Sequence, residues 1–292
     1  MPINLDFARI LITGSSGWLG SEALCYLSRV LGPLNRLNLV CLSKDGGSFR
    51  IHDETIQPIA FMDLQDIGGF DIIIHFAFLL PGRMEKDDIP NYMSVNSSIT
   101  KKMNRVFEEN PNALKLVLSS GAVNLDPRSA PSEITLLYAK SKLEMESMLQ
   151  DENTIILRLW STTGHHLPLT SNYALSDFIN LAVVDQDILI QNNVKRSYIG
   201  FQDIFSSTIE FLLNQGRGIY NSGGEVSTLE NLAELVIAAL GSKSKVHLSE
   251  IVQDARLDYF SPDCEIPKKY LQEYLSLKSQ VVNTIATVNL MG

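Results

Sequence analysis

Cysteine, basic charge and long apolar runs are all scarce in this chain of 292 residues. Its three cysteines, Cys25, Cys41 and Cys264, are widely spaced and include no CxxC pair. This usage argues against a structural zinc site and fits a reducing compartment. Acidic residues outnumber basic ones by 33 to 24, and the resulting net charge of −9 argues against a nucleic-acid-binding protein.

No stretch of the sequence is apolar for long enough to span a membrane or to act as a secretion signal. The longest apolar run, residues 72–80, is interrupted by His75 and falls short of the roughly 20 residues that a membrane span requires. Residues 10–13 are too short a run for a secretory signal. We therefore expect a cytoplasmic protein without membrane contacts. The hydrophobic fraction of 45% is ample for a large buried core.

Short apolar segments alternate with helical stretches through the first half of the chain. Strands are predicted at residues 8–13, 37–42, 58–61, 71–76, 115–119 and 154–159, and helices near 21–30, 91–109 and 138–149. Strands of nearly continuous Ile, Leu and Val that alternate with helices are typical of a parallel sheet covered on both faces. After residue 160 the pattern loosens, with strand candidates at 188–191 and 218–221, helices near 203–213 and 228–240, and no clear period over 250–269.

A glycine-rich turn follows the first predicted strand and reads TGSSGWLG over residues 13–20. Gly14 permits a tight turn, Gly17 lets a pyrophosphate approach the backbone, and Gly20 allows close packing of helix on strand. The N terminus of the next helix offers free N–H groups and the positive end of its dipole to phosphates. The turn therefore predicts a dinucleotide site formed by Gly14, Ser16, Gly17, Trp18, Leu19 and Gly20.

Tyr138 and Lys142 are four residues apart in a predicted helix, so they share one face of it. A nearby ammonium, together with a bound cofactor, would lower the pKa of the tyrosine towards working pH. The phenol could then act as a proton donor and acceptor. The pair predicts a site of proton transfer.

The glycine turn, a strand that ends in Ser119-Ser120, and the YxxxK pair occur in the order that resembles the extended short-chain dehydrogenase/reductase family. The resemblance covers about residues 8–241 and is strongest in the first 160. It implies an α/β fold, with a Rossmann-type doubly wound parallel sheet that binds NAD(P) over residues 1–160. A smaller C-terminal substrate region would span 161–292, of which about 197–221 packs back on the first domain. The family also implies a homodimer formed through the helix of Tyr138 and the preceding long helix.

The resemblance assigns roles to individual residues. Ser120 would polarise the substrate carbonyl, Tyr138 would donate the proton, and Lys142 would also hold the nicotinamide ribose. Further cofactor contacts are implied at the adenine by Asp63 and Leu64, and elsewhere by Phe76, Ala77 and Asn96, with a packing role for His75. Substrate contacts are implied for Ser119 as an alternative hydroxyl, for Ser161 and for Arg196, which matches the arginine that grips a nucleotide diphosphate.

Two features narrow the chemistry further. Sugar dehydratases of the family carry Asp-Glu directly after the hydroxyl residue, whereas this chain has Gly121 and Ala122, so dehydration is not expected. The adjacent His165 and His166 have no third ligand at a useful spacing, so no metal is predicted.

The end of the second strand decides between the two nicotinamide cofactors. NAD enzymes usually place an acidic residue there, which accepts hydrogen bonds from the ribose 2′-hydroxyl. This chain has Ser43 and Lys44, a hydroxyl and an ammonium that would suit a 2′-phosphate, although Asp45 could reach the ribose instead. We therefore expect NADP, with NAD as the alternative.

Three functions follow from the resemblance. The first is an NADP-dependent reductase of a nucleotide-linked keto sugar, favoured by the missing acid and by Ser161, which stands where epimerases have an asparagine. The alternative is a nucleotide-sugar 4-epimerase with tightly bound NAD. The third is a non-catalytic NADP-sensing protein, against which the presence of both Tyr138 and Lys142 argues. Either enzyme would take a nucleotide-diphosphate sugar.

Overall fold

The fold was analysed in a computed structural model that describes residues 5, 7–82, 88–125, 132–171, 173–249, 258–271 and 273–291. In chain order, the strands of the described residues are β1 (Ile10–Thr13), β2 (Leu39–Ser43), β3 (Phe49–Ile51), β4 (Glu54–Ile56), β5 (Ile59–Ala60), β6 (Ile72–His75), β7 (Leu114–Ser120), β8 (Thr154–Leu159), β9 (Ser161–Thr163), β10 (Ile188–Ile190), β11 (Lys195–Gly200), β12 (Gly218–Asn221), β13 (Glu225–Thr228) and β14 (Val246–Leu248). The helices are α1 (Trp18–Leu31), α2 (Ile89–Glu109), α3 (Glu133–Leu149), α4 (Ala174–Val183), α5 (Phe201–Leu213), α6 (Leu229–Leu240) and α7 (Leu277–Met291).

Seven strands form one parallel sheet in the order β12-β8-β7-β6-β1-β2-β5. The chain first runs outward from β1 through β2 to β5, and then returns to the other side of β1 at β6. This reversal of strand order creates a crevice at the carboxyl ends of β1 and β6, where ligands bind in such sheets. The predicted Rossmann-type doubly wound sheet is therefore confirmed.

Both faces of the sheet are buried, because successive side chains of each strand point to opposite faces. Ile10 and Ile12 of β1 join an apolar cluster with residues of α1 and α5, such as Leu24 and Phe205. Leu11, between them, belongs to the opposite cluster with residues of α2 and α3. Apolar residues on both sides of one strand explain why the central strands read as continuous apolar runs.

A third apolar cluster lies in the C-terminal half, where α4, α6 and α7 pack together around Phe178, Leu232 and Val281. Beside it lie a three-stranded sheet in the order β13-β11-β9 and a parallel pair, β10 and β14. The division into a first domain over residues 1–160 and a substrate region over 161–292 stays a prediction. No helix within the described ranges combines the length and apolarity needed to cross a membrane.

Candidate active site

The glycine turn lies at the crevice between β1 and β6. Gly14 has a φ of +69°, and a Cβ there would lie 2.8 Å from the backbone nitrogen of Ala77. A hydrogen bond holds the turn to β2, because the Ser15 hydroxyl donates to the carbonyl of Leu42 at 3.0 Å. Only a glycine at residue 14 lets the chain turn this closely over the residues that follow β6.

The helix that begins after this turn offers donors to an anion. Gly17 caps α1 with extended backbone and is exposed, as is Ser16, and the first turn of α1 contains no acidic residue. The N–H groups of Trp18 and Leu19 open the helix and lack an intrahelical acceptor. Helix N termini of this kind bind phosphate, so the turn fits the pyrophosphate of a dinucleotide.

The side chains of Trp18 and Leu19 point away from this anion position. The Trp18 ring packs edge-on against Tyr173, with centroids 5.4 Å apart, and lies against the C-terminal apolar cluster. Leu19 packs on the core of the sheet. A dinucleotide would therefore meet the backbone of these two residues.

The segment after β6 is held to the glycine turn through Thr13. Its Oγ1 lies 2.7 Å from His75 Nδ1 and accepts a hydrogen bond from the backbone N–H of Ala77 at 3.2 Å. Burial, with a smaller effect from the charge of Lys142, lowers the pKa of His75 to about 3. His75 is therefore neutral, as its predicted packing role requires. Phe76 packs edge-on against Phe201 in the core.

The predicted cofactor residue Asn96 acts on the protein backbone. Its Oδ1 accepts from the N–H of Leu79 at 2.8 Å, and its Nδ2 donates to the Leu79 carbonyl at 3.1 Å. Because both ends of the amide are engaged, Asn96 positions the chain that follows β6. Of the predicted adenine residues, Asp63 is exposed at the end of a short turn after β5, whereas Leu64 is buried in the core.

The NADP prediction depends on two residues at the end of β2, Ser43 and Lys44, which have different surroundings. The Ser43 hydroxyl is buried and accepts a hydrogen bond from the N–H of Gly46 at 3.0 Å, so it shapes the turn. Lys44 and Asp45 are both exposed. A preference for a 2′-phosphate would therefore depend on Lys44.

Tyr138 and Lys142 lie on α3, which starts earlier than predicted because Ser132 caps it by accepting from the N–H of Thr135 at 3.1 Å. Lys142 is buried, donates to the Leu118 carbonyl at 3.0 Å and lies 3.8 Å from the centroid of the Phe78 ring. The same ring meets the ring of Tyr138 edge-on at 5.9 Å. Phe78 thus lies against both residues of the pair.

The electrostatics of the pair are dominated by burial. Burial lowers the pKa of Lys142 to about 7, against the opposing charge of Glu146. Burial also raises the pKa of Tyr138 above its ordinary value, against the effect of the Ser120 hydroxyl. We expect Lys142 and a bound cofactor together to lower the pKa of Tyr138. The side chains alone do not lower it.

The two serines at the end of β7 have opposite surroundings. The Ser119 hydroxyl is buried and donates to Glu146 Oε1 at 2.5 Å. The Ser120 hydroxyl accepts from the N–H of Ala122 at 3.1 Å. It also forms a hydrogen bond with the phenol of Tyr138, and this bond by itself would lower the pKa of the phenol. The Ser119 hydroxyl therefore faces an internal carboxylate, and the role of polarising the substrate carbonyl stays a prediction for Ser120, with Ser119 as the alternative hydroxyl.

An aromatic pair that the sequence did not reveal adjoins Ser120. The rings of Trp160 and Tyr259 pack at a centroid distance of 4.5 Å, and the Trp160 indole donates to Asn221 Oδ1 at 3.0 Å. Burial raises the pKa of Tyr259 to about 12, although a hydrogen bond with the Ser120 hydroxyl by itself would lower it. Tyr259 thus brings a second phenol to the site from a segment without a recognisable period.

Arg196 lies beside the same aromatic pair. Its guanidinium carbon is 5.5 Å from the centroid of the Tyr259 ring, and burial lowers its pKa. Ser161 begins β9, which runs parallel to the β11 strand of Arg196, so these two predicted substrate residues lie on neighbouring strands. Contacts through Ser120, Trp160 and Tyr259 therefore link Tyr138 to the guanidinium of Arg196.

The glycine turn and the Ser120, Tyr138 and Lys142 side chains at the carboxyl edge of the sheet define an NAD(P)-dependent enzyme of the extended short-chain dehydrogenase/reductase type. A family comparison agrees with this class. Residues 10–223 match the NAD dependent epimerase/dehydratase family, and the chain belongs to it. The resemblance inferred from the sequence is therefore confirmed.

Solved structures with the same fold include several epimerases. The UDP-N-acetylglucosamine 4-epimerase from Methanobrevibacter ruminantium, in complex with UDP-N-acetylmuramic acid, is 18% identical with a TM-score of 0.74, covering 98% of this chain and 99% of that one. The UDP-glucose 4-epimerase from Stenotrophomonas maltophila, with bound NAD and formylated UDP-arabinopyranose, is 18% identical with a TM-score of 0.76, covering 97% and 98%. No curated protein matches the chain. At these identities the likeness shows the fold alone.

Proposed function

We propose that this protein is a nucleotide-sugar 4-epimerase that uses NAD. The observation that carries the proposal is the placement of Ser120, Tyr138 and Lys142 at the carboxyl edge of a dinucleotide-binding sheet, in a chain of the epimerase/dehydratase family. The related structures named as 4-epimerases with NAD support this alternative over the NADP-dependent reductase expected first.

In this reaction Ser120, Tyr138 and Lys142 have different roles. When bound, NAD supplies a hydride acceptor at the sugar carbon, a hydride donor for the return step, and a positive charge beside the phenol. Tyr138 takes the proton of the sugar hydroxyl and later gives it back. Ser120 hydrogen-bonds the same oxygen and stabilises the charge that develops on it. Burial lowers the pKa of Lys142 to about 7, so this side chain is about half protonated at neutral pH and can exchange a proton within the site.

The substrate side of the site suits a nucleotide diphosphate. A guanidinium such as that of Arg196 presents forked donors to phosphate oxygens. Its position over the Tyr259 ring directs the diphosphate past the aromatic pair and leaves the sugar next to Ser120. Dehydration is not part of the proposal, because a Cβ at Gly121 would lie 2.5 Å from the Trp160 indole, so no acidic side chain fits there.

The reductase stays the second candidate, on the observation that Lys44 is exposed at the end of β2 without a carboxylate on the strand itself. The experiment that separates the two is release of nucleotide from the purified protein by denaturation. About one NAD per chain, with interconversion of the C4 epimers of a UDP-hexose, supports the epimerase. An empty protein that binds NADPH more tightly than NADH, and loses that preference on Lys44→Ala, supports the reductase and overturns the epimerase.

A homodimer through α2 and α3 is the second part of the proposal. These helices pack side by side, and Leu143 and Met148 of α3 are 44% and 43% exposed, although both are large and apolar. Light scattering tests the proposal. Leu143→Glu is expected to yield monomers, whereas a wild-type protein that is already monomeric would contradict it.

A further inference from the structure

A thiol, an imidazole and a carboxylate lie in line between α1 and the chain that follows β9. Cys25 Sγ is 3.8 Å from His166 Nε2, and the other ring nitrogen, Nδ1, is 3.5 Å from Glu22 Oε1. Glu22 and Cys25 share one face of α1, because they are three residues apart in the helix. This arrangement plays no part in the proposed reaction.

The carboxylate of this cluster is firmly held. Glu22 is fully buried, and its two oxygens accept from the backbone N–H of His166 and from Gln202 Nε2, each at 2.8 Å. Burial by itself would raise the pKa of Glu22, but these hydrogen bonds outweigh it, so the pKa lies below its ordinary value. Glu22 is therefore a carboxylate that can orient an imidazolium.

The imidazole of His166 lies where its positive charge would stabilise a thiolate at Cys25. The contact with Cys25 and the nearby Glu22 carboxylate raise the pKa of His166 to about 9. A thiolate at Cys25 would therefore lie beside an imidazolium, which is the arrangement that activates cysteine nucleophiles. Among the described residues, no group of three or more His, Cys, Asp or Glu side chains is arranged so that it could hold a metal ion.

The other two cysteines offer a direct comparison. Burial raises the pKa of Cys41 to about 11, and its neighbour is the Ser15 hydroxyl. Burial also raises the pKa of Cys264, whose sulfur lies 3.6 Å from the phenol of Tyr274. Neither thiol has an imidazole partner in the described structure. The environment of Cys25 therefore differs in kind from those of the other two.

The cluster lies close to the protein surface. Cys25 itself is 7% exposed, and the side chain of its partner His166 is 26% exposed. Because so little of Cys25 meets solvent, a reagent that modifies it must be small.

We propose that Cys25 is a modification site for a small electrophilic oxidant of the peroxide class, activated by His166 and Glu22. The thiolate sulfur attacks one oxygen of hydrogen peroxide, so that an S–O bond forms and the O–O bond breaks. The second oxygen leaves as hydroxide and takes the proton from the His166 imidazolium, which gives water. Sulfur is oxidised to sulfenic acid, and the peroxide is reduced.

The test measures oxidation at each cysteine of the full chain. The folded protein is treated with hydrogen peroxide, the peroxide is removed, and the chain is then unfolded in the presence of dimedone, which traps sulfenic acids, so that each cysteine is quantified by peptide mass spectrometry. Cys25 is expected to react about tenfold faster than Cys264, although Cys264 is more exposed. The same reaction in concentrated urea is expected to bring the three rates together.

The chain offers a matched pair of variants. His166→Gln is expected to slow the reaction of Cys25 about tenfold. His165→Gln is the control, because the His165 ring bonds to the Thr287 hydroxyl at 2.7 Å and not to the thiol, and it is expected to leave the rate unchanged. Equal rates in the two variants, or a Cys25 that reacts no faster than Cys264, would overturn the proposal. If His166→Gln does not fold, the comparison of the three wild-type cysteines decides it alone.

Discussion

The indole of Trp160 occupies the space in which a side chain at Gly121 would lie. A Cβ built on Gly121 would be 2.5 Å from the indole carbon Cδ2. The indole is fixed there by its hydrogen bond to Asn221 and by the ring of Tyr259. The packed indole thus leaves no space for a side chain on the residue that follows Ser120.

Gly121→Ala should therefore disturb the aromatic pair. The methyl group must displace a packed indole, so we expect a loss of about 1–3 kcal/mol in the free energy of unfolding. In the double variant with Trp160→Leu, much of that loss should disappear, because the clashing ring is gone. Urea unfolding of the four proteins in the cycle measures the coupling. Additive effects of the two substitutions would contradict the packing seen here.

The two serines at the end of β7 should separate activity from stability. Ser120→Ala removes the hydroxyl beside Tyr138, and we expect turnover to fall about 100-fold with little change in Tm. Ser119→Ala removes one of the two donors to Glu146 Oε1, and Arg158 Nε remains at 3.0 Å, so we expect a loss of about 1 kcal/mol with turnover nearly retained. Kinetics and thermal unfolding of both variants check this, and exchanged outcomes would assign the catalytic role to Ser119.

Tyr138→Phe should abolish turnover and spare dinucleotide binding. The substitution removes the proton-transferring oxygen but keeps the ring that packs on Phe78. We expect activity to fall by a factor on the order of 1000 or more, since general acid–base groups contribute about 10²–10⁴. Calorimetric titration with the dinucleotide is the matched measurement. Substantial activity in this variant would refute the proposed mechanism.

The Glu22–His166 pair should make stability depend on pH. The folded pKa of His166, about 9, lies above its unfolded value near 6.5, so its contribution is fully present below pH 6.5 and is lost as pH rises to about 9. The difference in unfolding free energy between wild type and His166→Gln should shrink by roughly 3 kcal/mol over this window. Urea unfolding at a series of pH values measures it, with His165→Gln as the matched substitution for comparison.

Lys142 should make the stability of the protein depend on pH in the opposite direction. Its folded pKa of about 7 lies below the ordinary value of 10.5, so the buried charge destabilises the protein below pH 7, and this penalty fades towards pH 10.5. We expect Lys142→Met to be inactive yet to melt about 2–4 °C higher than wild type at pH 6. The gain should decrease as pH rises. A lower Tm at pH 6 would show that the lost bond to the Leu118 carbonyl dominates.

The fold was predictable from the sequence where one physical rule dominated. Central strands such as β1 and β6 are buried on both faces and therefore read as apolar runs. The strands β9 and β11 were missed because they are largely polar, reading STT and KRSYIG. The β3–β4 hairpin was missed because each of its strands has only three residues.

The candidate site was predictable only where spacing carries the information. A separation of four places Tyr138 and Lys142 on one helix face, whatever surrounds them. By contrast, both faces of β7 are buried, so alternation could not tell which of Ser119 and Ser120 faces the site. Phe78 and Tyr259 reach it through tertiary packing and belong to no local pattern.

The outermost strand of the central sheet has a consequence for synthesis in the cell. β12, at residues 218–221, pairs with β8 and covers its edge, although more than fifty residues lie between them. Until that distant segment leaves the ribosome, the strand reading TIILRL has an unpaired edge, which is a ready partner for other chains. The nascent protein must therefore hold an adhesive edge through much of its translation, and a fragment that stops at residue 160 would be expected to aggregate.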